Sequence, residues 1–231
     1  MGVVVEWLDA FAWGALVVLR VFVVALILTV LWGLIGASAK LSDSAVARGV
    51  ANAYTTVFRG TPELLVLLII YFGSAITLTS IAKMIDPSVK FIGIPPFWAG
   101  SLAISLIVGA YATETFRGAF LGVDRGQVEA ARSLGLSPGQ TFFYVRLPQM
   151  WRLALPAFGN HMNSLIKDTA LLSVIGVEEI MYAADRATAM TNKPFTMYLV
   201  VAVIYLAFVS VIIKTVAVLE VYANRHLERT R

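Results

Sequence analysis

VFVVALILTVLWGLIGASA, residues 21–39, contains no Asp, Glu, Lys or Arg and is bounded by Arg20 and Lys40. A bilayer core about 30 Å thick is crossed by roughly 20 apolar helical residues, so this stretch reads as a membrane span. Working outward, three further charge-free runs have the same character: Leu64–Ala82, Phe91–Thr113 and Pro194–Ile213. A fifth, Leu153–Val177, is long enough but carries Lys167 and Asp168 near its middle. The composition agrees. Of 231 residues, 59% are hydrophobic and 14% charged, and the mean hydropathy of +0.81 is far above that of a water-soluble domain. A soluble chain of this length has too little interior to hide so many apolar side chains. The absence of cysteine excludes thiol chemistry and Cys-ligated metals, and the two histidines, His161 and His226, have no metal-ligand spacing. The net charge of +4 is attributed to basic cytoplasmic loops, with no nucleic-acid partner expected.

Local signals place the ends of the spans. Thr61-Pro62-Glu63 reads as an N-cap, a proline at the first helical position and an acid in the first turn. Pro95-Pro96 predicts a helix starting near Pro96, with Phe91–Ile94 as an extended approach. Met1–Ala10 lacks a basic start and contains Glu6 and Asp9, so the first span is expected to remain in the mature protein. With the N-terminus outside, eleven basic residues, Lys40, Arg48 and Arg59 through Arg225, Arg229 and Arg231, fall on the inner side and four on the outer. That bias predicts an all-α integral membrane protein with five transmembrane helices, N-out and C-in, near residues 11–39, 63–82, 96–115, 153–177 and 195–218. Residues 1–231 form one transmembrane domain with an inner loop at 124–148.

That loop lies in Glu114–Arg152, the longest polar stretch. Asp124 and Gln127 are spaced as a capping box, predicting a helix over Gln127–Leu134 that stops at Gly135. Ser137-Pro138-Gly139-Gln140 repeats the signal, predicting a second helix that halts before Pro148. Ala130 and Ala131 leave little bulk, so a partner surface could approach closely; the alternative is an amphipathic helix lying on lipid.

Glu129-Ala130-Ala131, three residues, Gly135, nine residues and Val145-Arg146-Leu147-Pro148 resemble the EAA signature of ABC importer permeases, with valine in place of isoleucine. Arg59-Gly60-Thr61-Pro62, the block Gly109–Ala119 and Lys167-Asp168-Thr169-Ala170-Leu171 resemble blocks of the polar amino-acid permeases. The resemblance spans about Gly14 to Arg225 and is nearest the Q-type subunit of histidine, basic amino-acid and opine importers. It implies the type I importer (MetI-like) architecture of the cell inner membrane. It also implies that Asp124–Leu136 is a coupling helix seated in a cytoplasmic ATPase, with Glu129, Ala130, Ala131, Gly135, Leu147 and Pro148 as coupling positions. The partners implied are a second permease subunit, of related M type or a second copy, two ABC ATPases and a periplasmic binding protein. No G-x-x-x-x-G-K-[ST] loop occurs, so ATP and Mg belong to the partner ATPase and no cofactor or catalytic site is expected in this chain.

In the fifth run, Asn160, Asn163, Ser164, Lys167 and Asp168 recur at three- and four-residue steps, with His161 one step aside. Charged groups in a bilayer face the bundle or water. Either this stripe lines a substrate pathway, or Lys167 and Asp168 pair within the bundle and His161 is packed and neutral. Arg20 either snorkels outward near Trp13 or points into the bundle. Glu178, Glu179 and Asp185, in the outer segment Gly176–Lys193, are candidate contacts for the binding protein; a solvated mixed-charge loop is the alternative. An ion-gradient-driven secondary transporter is the rival class. It calls for buried ionisable groups on several spans and a repeated half, neither of which is evident.

Overall fold

The computed structural model describes the backbone of residues 2–228 and the side chains of residues 4–225; Arg229, Arg231 and the side chain of His226 lie outside it. All described regular structure is helical. A short α1 (Gly2–Val5) leads into α2 (Leu8–Lys40), α3 (Ala45–Gly60), α4 (Glu63–Ile85) and α5 (Pro96–Leu121). The short helices α6 (Arg125–Ser133) and α7 (Pro138–Thr141) precede α8 (Leu147–Asp168), α9 (Ile180–Thr191) and α10 (Pro194–Glu228).

α5 is the central helix, burying fifteen residues, nine of them Ala, Gly or Ser. Small side chains let helices approach in a membrane, where apolar burial alone gives no preference for protein over lipid. α2 uses that space: a Cβ on Gly33 would lie 2.7 Å from the Phe116 ring, and one on Gly36 would collide with Thr113 Oγ1. Nearer the C-terminal end of α5, Phe116 packs against Trp151 (5.2 Å between centroids) and Phe158 (5.3 Å), and Phe120 stacks on Phe142 (6.0 Å). These rings fasten α5 to the foot of α8 and so fix where the α6–α7 segment leaves the bundle.

Among the described residues, four helices are long and apolar enough to cross a membrane: Leu8–Lys40, Glu63–Ile85, Pro96–Leu121 and Pro194–Arg225. The fifth expected span forms α8, which continues as a 3-10 turn over Thr169–Ile175 and closes at Gly176 (φ 87°). Its length suffices, but its polar residues keep it out of that set.

Several expectations are corrected. Residues 45–60 form a helix, α3, capped by Ser44, whose hydroxyl accepts from Ala47 N–H. Thr61 does not cap α4; its hydroxyl donates back to Val57 O (2.8 Å) and closes α3, so Pro62 takes the capping position. Asp124 caps α6 by accepting from Gly126 N–H (2.6 Å) instead of pairing reciprocally with Gln127. No halt occurs before Pro148. A π turn over Phe142–Arg146, with Leu147 N–H bonded to Phe142 O, joins α7 directly to α8. The wider turn accommodates the proline, which has no N–H to donate at the start of α8. Finally, most of the segment expected as an outer loop is helix α9, which buries Ile180, Ala183, Ala184 and Ala187.

Candidate functional site

The loop that carries the EAA-like signature is built from two well-formed stops. α6 ends in a Schellman motif: Leu136 N–H bonds to Ala131 O (3.1 Å) and Gly135 N–H to Arg132 O (2.9 Å), with Gly135 at φ +82°. Ser137 and Gln140 then form the anticipated capping box, with bonds of 3.3 and 2.9 Å. The turn fixes which side chains face out. Glu129 and Ala130 are exposed, whereas Ala131 is buried against the rest of the loop, so of the two alanines only Ala130 is open to a partner. Leu134 is 80% exposed, and Phe143 and Tyr144 on the π turn are also exposed. Leu147 is half-buried and Pro148 exposed at the base of α8. A pocket of about 330 Å³ between α6 and the foot of the bundle is lined by Val128, Glu129, Arg132 and Arg146 among others. The loop therefore presents apolar side chains and a carboxylate on a rigid frame.

The polar stripe of α8 splits by exposure. Asn160, Ser164 and Lys167 are exposed along one face, while His161, Asn163 and Asp168 are half-buried beside it. Asn163 Oδ1 is buried without a hydrogen-bond partner. The Lys167–Asp168 pair expected as one alternative does not form; among the described residues the ion pairs are Lys40–Glu114 and Arg117–Glu114. His161 Nε2 shares a hydrogen bond with Thr115 Oγ1 (2.8 Å), and the ring lies 6.1 Å from Tyr111. A face carrying an amide, a hydroxyl and an ammonium cannot be left in lipid. It faces water or another subunit.

Sequence reasoning missed what stands beside this face. Arg59, expected in an inner segment, lies at the end of α3 with its guanidinium 5.2 Å from the Tyr111 ring centroid. Tyr111 belongs to the charge-free run of α5, about 22 Å below Pro96 at 1.5 Å per residue. Through the Tyr111 ring, which lies 6.1 Å from His161, Arg59 reaches the edge of the α8 stripe. α3 and α4 are separated by the breaker Gly60-Thr61-Pro62, with Arg59 on one side of the break and Glu63 on the other. The signal was present, since a Gly-Thr-Pro breaker lies between two helical stretches. Lys40, Thr55, Tyr111, Glu114 and Arg59 surround a pocket of about 430 Å³. Within it Lys40 Nζ donates to Glu114 and to Thr55 Oγ1 (2.7 Å), and Arg117 Nε donates to Glu114 (2.9 Å).

Arg20 resolves toward the outer alternative, exposed and 5.4 Å from the Trp13 ring. Of the outer acids, Glu178 and Asp185 are exposed, Asp185 accepting from Tyr198 O–H (2.6 Å). Glu179 is placed otherwise than expected. It is 1% exposed and caps α9 by accepting from Met181 and Tyr182 N–H and from Tyr205 O–H, so it is unavailable to a partner protein.

The model of the binding-protein-dependent transport system inner membrane component family matches residues 29–221. The chain belongs to that family. This permease is 41% identical over 198 residues to the histidine/lysine/arginine/ornithine transport system permease protein HisQ of Escherichia coli strain K12, covering 86% of each chain. It is 40% identical over 219 residues to the nopaline transport system permease protein NocQ of Agrobacterium fabrum, covering 95% of this chain and 93% of that one. A crystal structure of an amino acid ABC transporter with histidines superposes with a TM-score of 0.78 at 34% identity, covering 94% of this permease and 95% of that chain. The Q-type resemblance of the motifs and the inner-membrane location are thereby established.

Proposed function

We propose that this permease carries a cationic amino acid, or an opine that shares its cationic end, from periplasm to cytoplasm in an ATP-driven importer. The supporting observation is the exposed polar face of α8 with Arg59 at its edge. Its groups lie at two levels: Arg59 on the Tyr111 ring that packs 6.1 Å from His161, and Asp168 seven residues further along α8. His161 and Asp168 are seven residues apart, about 10 Å along a helix. A molecule with a carboxylate at one end and an ammonium or guanidinium at the other matches that separation. The carboxylate meets Arg59, and the cationic end meets Asp168. Asn160, Asn163 and Ser164 supply hydrogen bonds between the two levels. Names of relatives such as HisQ and NocQ point to the same substrate class.

One such chain cannot enclose a pathway, because the face stands open. A second permease, an M-type relative in our reading, covers it, with five crossings per subunit, N-out and C-in. Two ATPases seat the coupling loop at Glu129, Ala130, Gly135 and Leu134. Their closure on ATP and Mg moves α6, and the π turn and continuous α7–α8 helix transmit the motion to the polar face. A binding protein delivers substrate at the outer surface, with Glu178 and Asp185 among its contacts. The chain itself carries out no chemistry.

The test is uptake of labelled arginine, lysine, histidine and octopine into proteoliposomes holding the full complex. Asp168→Ala should abolish uptake of the cationic substrate while the complex still assembles. Unchanged uptake in that variant would return Asp168 to a structural role.

A further inference from the structure

The outer ends of α2 and α9 frame a third, much smaller pocket of about 80 Å³, lined by Trp7, Trp13, Tyr182, Glu178, Glu179 and Arg186 among others. Its frame is rigid. A Cβ on Gly14 would lie 2.8 Å from the Glu179–Ile180 backbone, so α2 rests directly on the start of α9. The volume is too small for an amino acid but suits a single ammonium or guanidinium group.

The lining sets two carboxylates, Glu178 and Glu179, and three aromatic rings against one guanidinium, Arg186, a balance that favours a cation. Three aromatic rings meet there, and aromatic faces attract cations through their quadrupoles. Two of them already do so within the chain: Arg20 lies 5.4 Å from the Trp13 centroid and Arg186 5.9 Å from that of Tyr182. Among the described residues Trp7 has no such cation. Of the two carboxylates, Glu179 is spent on the α9 cap, whereas Glu178 is exposed and makes no ion pair among the described residues. Glu6 and Asp9, also exposed, are neighbours in sequence of the lining residues Trp7 and Ala10.

We infer that this pocket is the anchor point for the substrate-binding protein and receives one Lys or Arg side chain from it, held between Trp7 and the Glu178 carboxylate. The inference rests on the importer reading and its N-out orientation. A basic side chain entering an acidic, aromatic pocket gives both steering and a desolvated contact.

The complex, assembled with a second permease, ATPase and binding protein, is placed in nanodiscs of phosphatidylethanolamine and phosphatidylglycerol. ATP hydrolysis is titrated with binding protein loaded with the amino acid that stimulates the wild type. Glu178→Lys should raise the concentration for half-maximal stimulation by about tenfold or more, as expected for like charges set against each other. Glu178→Asp should stay near wild type, and exchanging the partner's basic residue for Glu should restore docking to Glu178→Lys. An unshifted titration in Glu178→Lys, with wild type stimulated normally, would overturn the anchor and leave the importer reading intact. So would a response that appears only when phosphatidylcholine is added, since the pocket would then hold a lipid headgroup. A wild-type complex stimulated by no binding protein would overturn both.

Discussion

Gly135 offers the cleanest perturbation of the coupling loop. Its φ of +82° lies in the left-handed region, and a Cβ built there meets nothing within 4 Å. Gly135→Ala therefore adds a methyl group to open space, and its whole cost is conformational, about 1–2 kcal/mol for an L-residue held left-handed. That lowers the population of the closed Schellman turn relative to its opened forms by a factor of about 5–30. The affected bonds are known: Leu136 N–H to Ala131 O and Gly135 N–H to Arg132 O. Hydrogen exchange at residues 135 and 136 should accelerate by the same factor. Binding-protein-stimulated uptake should fall in the order wild type, Gly135→Asn, Gly135→Ala, Gly135→Val, because asparagine tolerates this conformation and a β-branched residue does not. If Gly135→Val exchanged and transported like wild type, the left-handed turn would be irrelevant to coupling. If Gly135→Asn were as damaging as Gly135→Val, a steric contact with the ATPase would explain the glycine better than its φ.

Other outcomes follow from individual contacts. Gly36→Ala should destabilise the α2–α5 interface by about 1–3 kcal/mol through overpacking, because its Cβ would collide with Thr113 Oγ1; adding Thr113→Ala should recover much of the loss in thermal melts. Glu114→Ala leaves Lys40, whose side chain is 9% exposed, without its carboxylate, at a cost of about 1.5–3 kcal/mol for hydrogen bonds to a charged group. Melting of the detergent-solubilised complex checks this, and an unchanged midpoint would make the cluster dispensable. Tyr205→Phe removes the O–H that Glu179 accepts at 3.3 Å and should lower stability by a smaller amount while leaving Glu178-dependent docking intact in the stimulation assay. Arg59→Ala should raise the KM for uptake more than Arg59→Lys, since the lysine retains a charge for the substrate carboxylate.

The four apolar helices are legible because hydropathy and charge spacing are local properties, and the Pro96 start of α5 and the Ser137–Gln140 capping box are legible for the same reason. The misses share a different cause. Pro148 reads as the end of a helix, but a π turn absorbs it, and that turn is held by Phe142 stacking on Phe120 of α5, a contact distant in sequence. Glu179 looks like any acid in a polar outer segment; its burial depends on α2 closing over it at Gly14 and on Tyr205 of α10. Charge counting treats Arg59 only as a basic residue, and the helix that ends there against Tyr111 leaves no trace in such a count. The α8 stripe is visible in its periodicity, yet which members face outward, Asn160, Ser164 and Lys167, becomes clear only with the helix packed.

The central claim is that the exposed face of α8 lines a pathway whose access alternates under ATP. The chain contains no cysteine, so a single Ser164→Cys in the otherwise unaltered permease reports directly. A membrane-impermeant thiol reagent is applied from either side of proteoliposomes holding the complete transporter, with and without ATP plus vanadate. The account predicts labelling from the cytoplasmic side at rest, a shift to the periplasmic side when the ATPases are trapped closed, and protection by the transported amino acid. Labelling from neither side in any state, or labelling indifferent to ATP, would contradict it.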